Sequence, residues 1–135
     1  MKIKDVWQKF LFVCAVGISI FLLFFVIVCV WIGYDVKNQC YLAKKQYDKK
    51  DCVSALSTLL DDDRQGFRSR NSAIWALGQL GDKRALPILE KYYTGDIPNR
   101  EPLDKTISQY ELKKAVKLAR GGLNITAFVW RNNLQ

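Results

Sequence analysis

RSRNSAIWALGQLGDKRALPILEKYY, residues 68–93, is the stretch from which the fold is read. Ala73, Ala76, Leu77 and Leu80 recur at helical spacing and make one apolar face. Gly81 follows, where a left-handed residue ends a helix, and Asp82 is placed to cap the next one. Leu86, Leu89 and Tyr93 form the inward face of that second helix. If it begins at Lys83, Pro87 is its fifth residue and should bend it by removing a hydrogen bond.

The pattern repeats at an offset of 30. Ala43 aligns with Ala73, Tyr47 with Leu77, Ala55-Leu56 with Ala85-Leu86, and Leu59 with Leu89. A further step reaches Leu103, Ile107, Ala115-Val116 and Ala119 in weaker form. Two helices per unit fit within such a period. The first unit reads as helix 36–48, a turn at Asp48-Lys49-Lys50 and helix 52–61 capped by Asp51. The next helix is expected near Gly66-Phe67. Asp61-Asp62-Asp63 lack the spacing of a Ca²⁺ loop and read as a solvated turn.

Ala73, Leu77, Leu80-Gly81-Asp82, Ala85-Leu86-Pro87 and Leu89 resemble the HEAT-like repeat of bacterial α-solenoid proteins, a class that includes repeats named after phycobilisome lyases. The resemblance implies antiparallel helix pairs stacked side by side and a binding or scaffolding role. The fold class is therefore all-α, a short α-solenoid of two to three HEAT-like hairpins over residues 34–122. With so few units, a long concave surface is not available.

Residues 94–106, TGDIPNREPLDKT, interrupt the repeat through Gly95, Pro98 and Pro102. Ser108-Gln-Tyr-Glu111 is a capping-box pattern. The helix it starts presents Leu112, Ala115, Val116 and Ala119 and stops at Gly121-Gly122. In the apolar segment 123–135, Leu123, Ile125, Phe128, Val129 and Trp130 are expected to cover the end of the stack. Contact with a membrane interface through Phe128 and Trp130 is the alternative.

Upstream lies FLFVCAVGISIFLLFFVIVCVWI, residues 10–32, without a charge. As a helix it spans about 35 Å, enough to cross a bilayer. Trp7, Trp31 and Tyr34 flank it as interfacial rings do. The chain divides into a basic flank 1–9, a transmembrane helix 10–33, the solenoid 34–122 and the segment 123–135. The apolar run is longer than a cleavable signal, and no small-x-small site follows it, so an uncleaved anchor is expected. Lys2, Lys4 and Lys9 precede the span, whereas Lys37 and Asp35 balance just after it. The positive-inside rule then keeps residues 1–9 in the cytosol and translocates the domain. Lys44, Lys45, Lys49 and Lys50 argue the other way if they count as flank.

The net charge is +8 and there is no histidine. Charge of both signs along the domain and the lack of a recognition motif speak against nucleic acid. Two domain thiols without histidine do not make a metal site. No nucleophile motif, acid–base pair or phosphate loop points to an enzyme or a cofactor, although Cys40 or Cys52 could serve a lyase-like activity. The two cysteines are a candidate disulfide or two free thiols. Expected partners are the lipid bilayer, through residues 10–33, and a protein of unknown identity. The candidate protein-binding residues are Lys83, Arg84 and Lys91 with Arg100, Glu101, Asp104 and Lys105 of the loop. Trp75 is either a further anchor or part of the core. An accessory structural subunit of a membrane complex is the competing role, with Ala15 and Ser19 as a small-xxx-small contact in the span.

Overall fold

A computed structural model describes residues 2–133. Among them are six α-helices and no strand: α1 Lys2–Tyr47, α2 Cys52–Asp61, α3 Phe67–Leu80, α4 Leu86–Tyr92, α5 Gln109–Ala119 and α6 Ala127–Trp130.

α1 is one unbroken helix of 46 residues. It is long and apolar enough to cross a membrane. Its apolar side chains stand free, Phe21 and Phe24 among them. No break separates this stretch from the first repeat helix. The buried positions of α1 are Cys29, Gly33, Val36, Cys40 and Ala43. Their alternating spacing of four and three is that of one face of a helix packed along its length. The stripe begins inside the apolar stretch and ends in the core of the domain.

That core is built from Leu56 and Leu60 of α2, Ile74 and Leu77 of α3, Leu89 of α4 and Leu112 of α5, all fully buried. Ala43, Ala55, Ala73, Ala76, Ala85 and Ala119 fill the spaces between them and let the helices approach. α3 and α5 approach closely. A β-carbon on Gly78 would stand 2.8 Å from the Cα of Ala115, so only glycine fits there.

The caps fall where local chemistry puts them. The Asp51 carboxylate accepts the Ser54 N–H at 2.8 Å to start α2. Gly81 ends α3 with φ 62°, in the left-handed region. Asp82 accepts the Arg84 N–H at 2.9 Å. It caps a single 3₁₀ turn, Lys83–Ala85, rather than an α-helix. α4 begins afresh at Leu86, so Pro87 lies in its first turn. The bend expected from Pro87 does not arise, because a first-turn proline has no intrahelical hydrogen bond to lose.

The first hairpin departs from an antiparallel pair. Cys40 and Cys52 are joined as a disulfide, with Cα atoms 5.3 Å apart. At the other end of α2, Tyr47 donates its hydroxyl proton to Asp62 at 2.9 Å. Both ends of α2 thus meet the last two turns of α1. An antiparallel return would put Asp62 about 25 Å from Tyr47. The cause is the link 48–51. Cys40 lies seven residues, about 10 Å, before the end of α1, and four extended residues can retrace that distance.

The C-terminal segment covers less than its composition suggests. Ala127 and Trp130 are buried against Ile32, Val36, Trp75 and Leu80. Leu123, Ile125, Phe128 and Val129 are exposed. In a single turn of helix, residues three apart share a face, so 127 and 130 point to α1 while 128 and 129 point away. Trp130 sits directly on Gly33, with its Cβ only 2.6 Å from where a Gly33 β-carbon would be.

Candidate interaction surface

α2 and α4 lie beside each other and leave an open groove of about 700 Å³. Its floor is the outer face of α2, with Ser54, Ser57 and Thr58, against Pro87 and Ile88 of α4. Its ends are charged. Arg84 forms ion pairs with Asp82 at 2.7 Å and with Asp51 at 3.2 Å, closing one end. At the other end the three consecutive aspartates each take a different partner. Asp61 accepts hydrogen bonds from Lys91 and from the Tyr92 hydroxyl. Asp62 is held by Arg64 and Tyr47. Asp63 pairs with Arg70 at 3.0 Å.

These contacts set the proton affinities. Hydrogen bonds from Lys91, then Tyr92, hold the Asp61 carboxyl below its usual value. Arg64 does the same to Asp62. Burial, followed by the bond to Asp62, raises the Tyr47 phenol. Burial and Asp61 raise that of Tyr92. The groove is therefore ionic at neutral pH, with its charges matched in pairs.

The residues proposed from sequence do not form one patch. Lys83 and Arg84 stand exposed in the 3₁₀ turn before α4, and Lys91 stands exposed near the end of α4. Arg100, Asp104 and Lys105 are exposed on the loop. Glu101 is half-buried and turned inward. Its carboxylate accepts from the Ser108 hydroxyl and the Gln109 N–H, both at 2.6 Å, at the first turn of α5. A carboxylate there also meets the positive end of the helix dipole.

Asn71, which sequence reasoning passed over, organises the same region. Its side chain is buried in α3, donates to the carbonyls of Leu103 and Thr106 and accepts the Ser108 N–H. Ser108 caps α5 by accepting the Glu111 N–H at 3.1 Å, half of the expected capping box. Asn71 takes the N–H that Glu111 would have taken. The sequence signal was a polar residue on the face shared by Ile74 and Gly78. Trp75 is half-buried. It touches the core and also lines a cleft of about 480 Å³ with Asp35, Gln39 and Arg68 between α1 and α3.

A family model for HEAT repeats matches residues 34–100. This segment is similar to HEAT repeats. The match runs from Tyr34 of α1 through α4 and the first part of the loop. The deoxyhypusine hydroxylase of Candida albicans is 47% identical over 49 residues, 35% of this chain and 15% of that enzyme. The chain thus spans a small part of that relative's length. No solved structure matches.

Proposed function

We propose that this protein is a membrane-anchored, non-catalytic interaction module. In this reading residues 10–33 cross the bilayer, residues 34–122 form the HEAT-like domain outside the cytosol, and residues 123–135 complete its membrane-proximal end. One observation carries the proposal: α1 passes without a linker from the apolar stretch into the core, along a single buried stripe from Cys29 to Ala43. A helix that is both anchor and first repeat fixes the domain's orientation to the bilayer. HEAT repeats commonly mediate protein contacts, and the α2–α4 groove offers a polar floor, an apolar wall and charged ends to an extended or helical segment of a partner.

The phycobilisome-lyase likeness and the short match to a hydroxylase would favour chemistry instead. Against it stand the absence of histidine and the pairing of Cys40 with Cys52, which leaves neither domain thiol as a nucleophile. A structural subunit of a membrane complex is the second reading. It is favoured by the small pair Ala15 and Ser19, where the Ser19 hydroxyl bonds back to the Ala15 carbonyl at 2.8 Å and leaves that face narrow.

Purification from native membranes in mild detergent tests these readings. A co-purifying protein lost on Ser57→Arg, with helicity retained, supports the module. Retention on Ser57→Arg but loss when residues 10–33 are exchanged for an unrelated span supports the subunit. Purification with no protein partner overturns both.

A further inference from the structure

Four large apolar side chains are left in solvent by the C-terminal segment: Leu123, Ile125, Phe128 and Val129 are 75%, 60%, 75% and 47% exposed. Their place in the fold says what covers them. Trp130 rests on Gly33, one residue past the uncharged stretch 10–32. Cys29, a full turn deeper, is completely buried, and Val28 and Ile32 are partly covered. The protein therefore wraps one side of α1 down to residues that the anchor reading places at the edge of the hydrocarbon. Phe128 and Val129 are two residues and one residue from Trp130, so their backbone lies within about 10 Å of Gly33. Trp31 and Tyr34, exposed on α1, share that level.

The helix that leads into the segment is rich in cations. After Glu111 the chain carries Lys113, Lys114, Lys117, Arg120 and Arg131 and no carboxylate side chain. Lys114 and Arg120 have acidic partners in Glu111 and Glu90, and Lys113 and Lys117 are exposed. Exposed apolar side chains that follow a helix with Lys113 and Lys117 free of acidic partners fit a segment lying in an anionic bilayer interface.

We infer that residues 123–130 are a second membrane contact, which inserts Leu123, Ile125, Phe128 and Val129 into the bilayer interface beside α1. The inference rests on the proposed anchor. Two attachment points, a span and an interfacial foot, stop the domain from tilting about α1 and hold the α2–α4 groove at a fixed angle to the membrane.

Photo-crosslinking of the full chain tests it. Benzoylphenylalanine replaces Phe128, Phe21 or Tyr110 in proteoliposomes of phosphatidylcholine and phosphatidylglycerol. Phe128 and Tyr110 are both exposed aromatic residues, so substitution leaves the fold intact, which circular dichroism checks. Lipid adducts at 128 and at 21, with none at 110, are the expected result. Adducts at 21 but none at 128, or crosslinks from 128 to a second protein copy, overturn the interfacial foot and leave the anchor standing. No lipid adduct at 21 overturns the anchor, and the foot with it.

Discussion

The Asn71 side chain accepts the backbone N–H of Ser108 at 2.8 Å, across 37 residues of sequence. It also donates to the carbonyls of Leu103 and Thr106 at 3.0 and 2.9 Å. One buried amide thereby ties α3 to the loop and to the first turn of α5. Asn71→Ala leaves three backbone groups without their partner, and a buried unsatisfied group costs about 1–3 kcal/mol. The expected loss is at least 2 kcal/mol in urea unfolding, on the order of a quarter of the stability of a small domain. Asn71→Asp sets a carboxylate oxygen against the carbonyls of Leu103 and Thr106, so it should cost at least as much as Asn71→Ala. Equal midpoints for all three would remove this residue from the account.

Gly78 and Gly66 make a paired test of packing. Gly78 has no room for a β-carbon against the Ala115 backbone, whereas nothing lies within 4 Å of one on Gly66. Gly78→Leu should separate α3 from α5 at a cost of at least about 1–3 kcal/mol. Gly66→Ala, at the start of α3, should change the melting temperature little. If the two shift it equally, the α3–α5 crossing is looser than the structure has it.

The sequence made the helices legible because their signals are local. Apolar spacing marked α3, Asp51 and Asp82 declared their caps, and Gly81 marked its stop. The repeat followed from the offset of 30 between Ala43 and Ala73, and the resemblance to HEAT-like repeats from the motif between Ala73 and Leu89. The misses are long-range. Glu101 read as a surface charge, and its destination at Gln109 depends on how the loop folds back. The split of the second hairpin helix into a 3₁₀ turn and α4 hangs on Pro87, which favours a first-turn position that periodicity does not register. The direction of α2 was hidden because it is decided by link 48–51, whose residues allow either a tight turn or a retracing one. Phe128 and Trp130 looked alike as apolar residues, and only the docking of one turn of helix on Gly33 separates them.

Acid and alkali should each weaken the domain through the charged end of the groove. The carboxyls of Asp61 and Asp62 are held below their ordinary value in the folded state. A depressed folded pKa contributes stability that is complete above the unfolded value, about 4, and is lost as pH falls through the folded value. The phenols of Tyr47 and Tyr92 are raised, so their contribution is present below about 10 and is lost as pH rises further. The melting temperature should be flat between these limits and drop outside them. Asp62→Asn should lower it at pH 7 and reduce the further drop on going to pH 3. An unchanged acid limb in Asp62→Asn would mean that other carboxylates govern it.

The compartment of the domain decides which proteins can reach the groove, and two independent chemistries report it. Lys2, Lys4 and Lys9 before the span, against a balanced flank after it, favour a translocated domain. A disulfide between Cys40 and Cys52 persists in an oxidising space and is rarely kept in the cytosol. Cys14 and Cys29, in contrast, are free. Protease added to spheroplasts should therefore digest the domain without lysis. Maleimide labelling after denaturation should modify two cysteines per chain without reductant, those free in the structure, and all four after reduction. Protection until lysis together with four labels before reduction would reverse the orientation. Lys44, Lys45, Lys49 and Lys50 would then act as the positive-inside signal, and the partner would be cytosolic. Accessibility with four labels would keep the orientation and remove only the disulfide, leaving link 48–51 free to take the tighter turn.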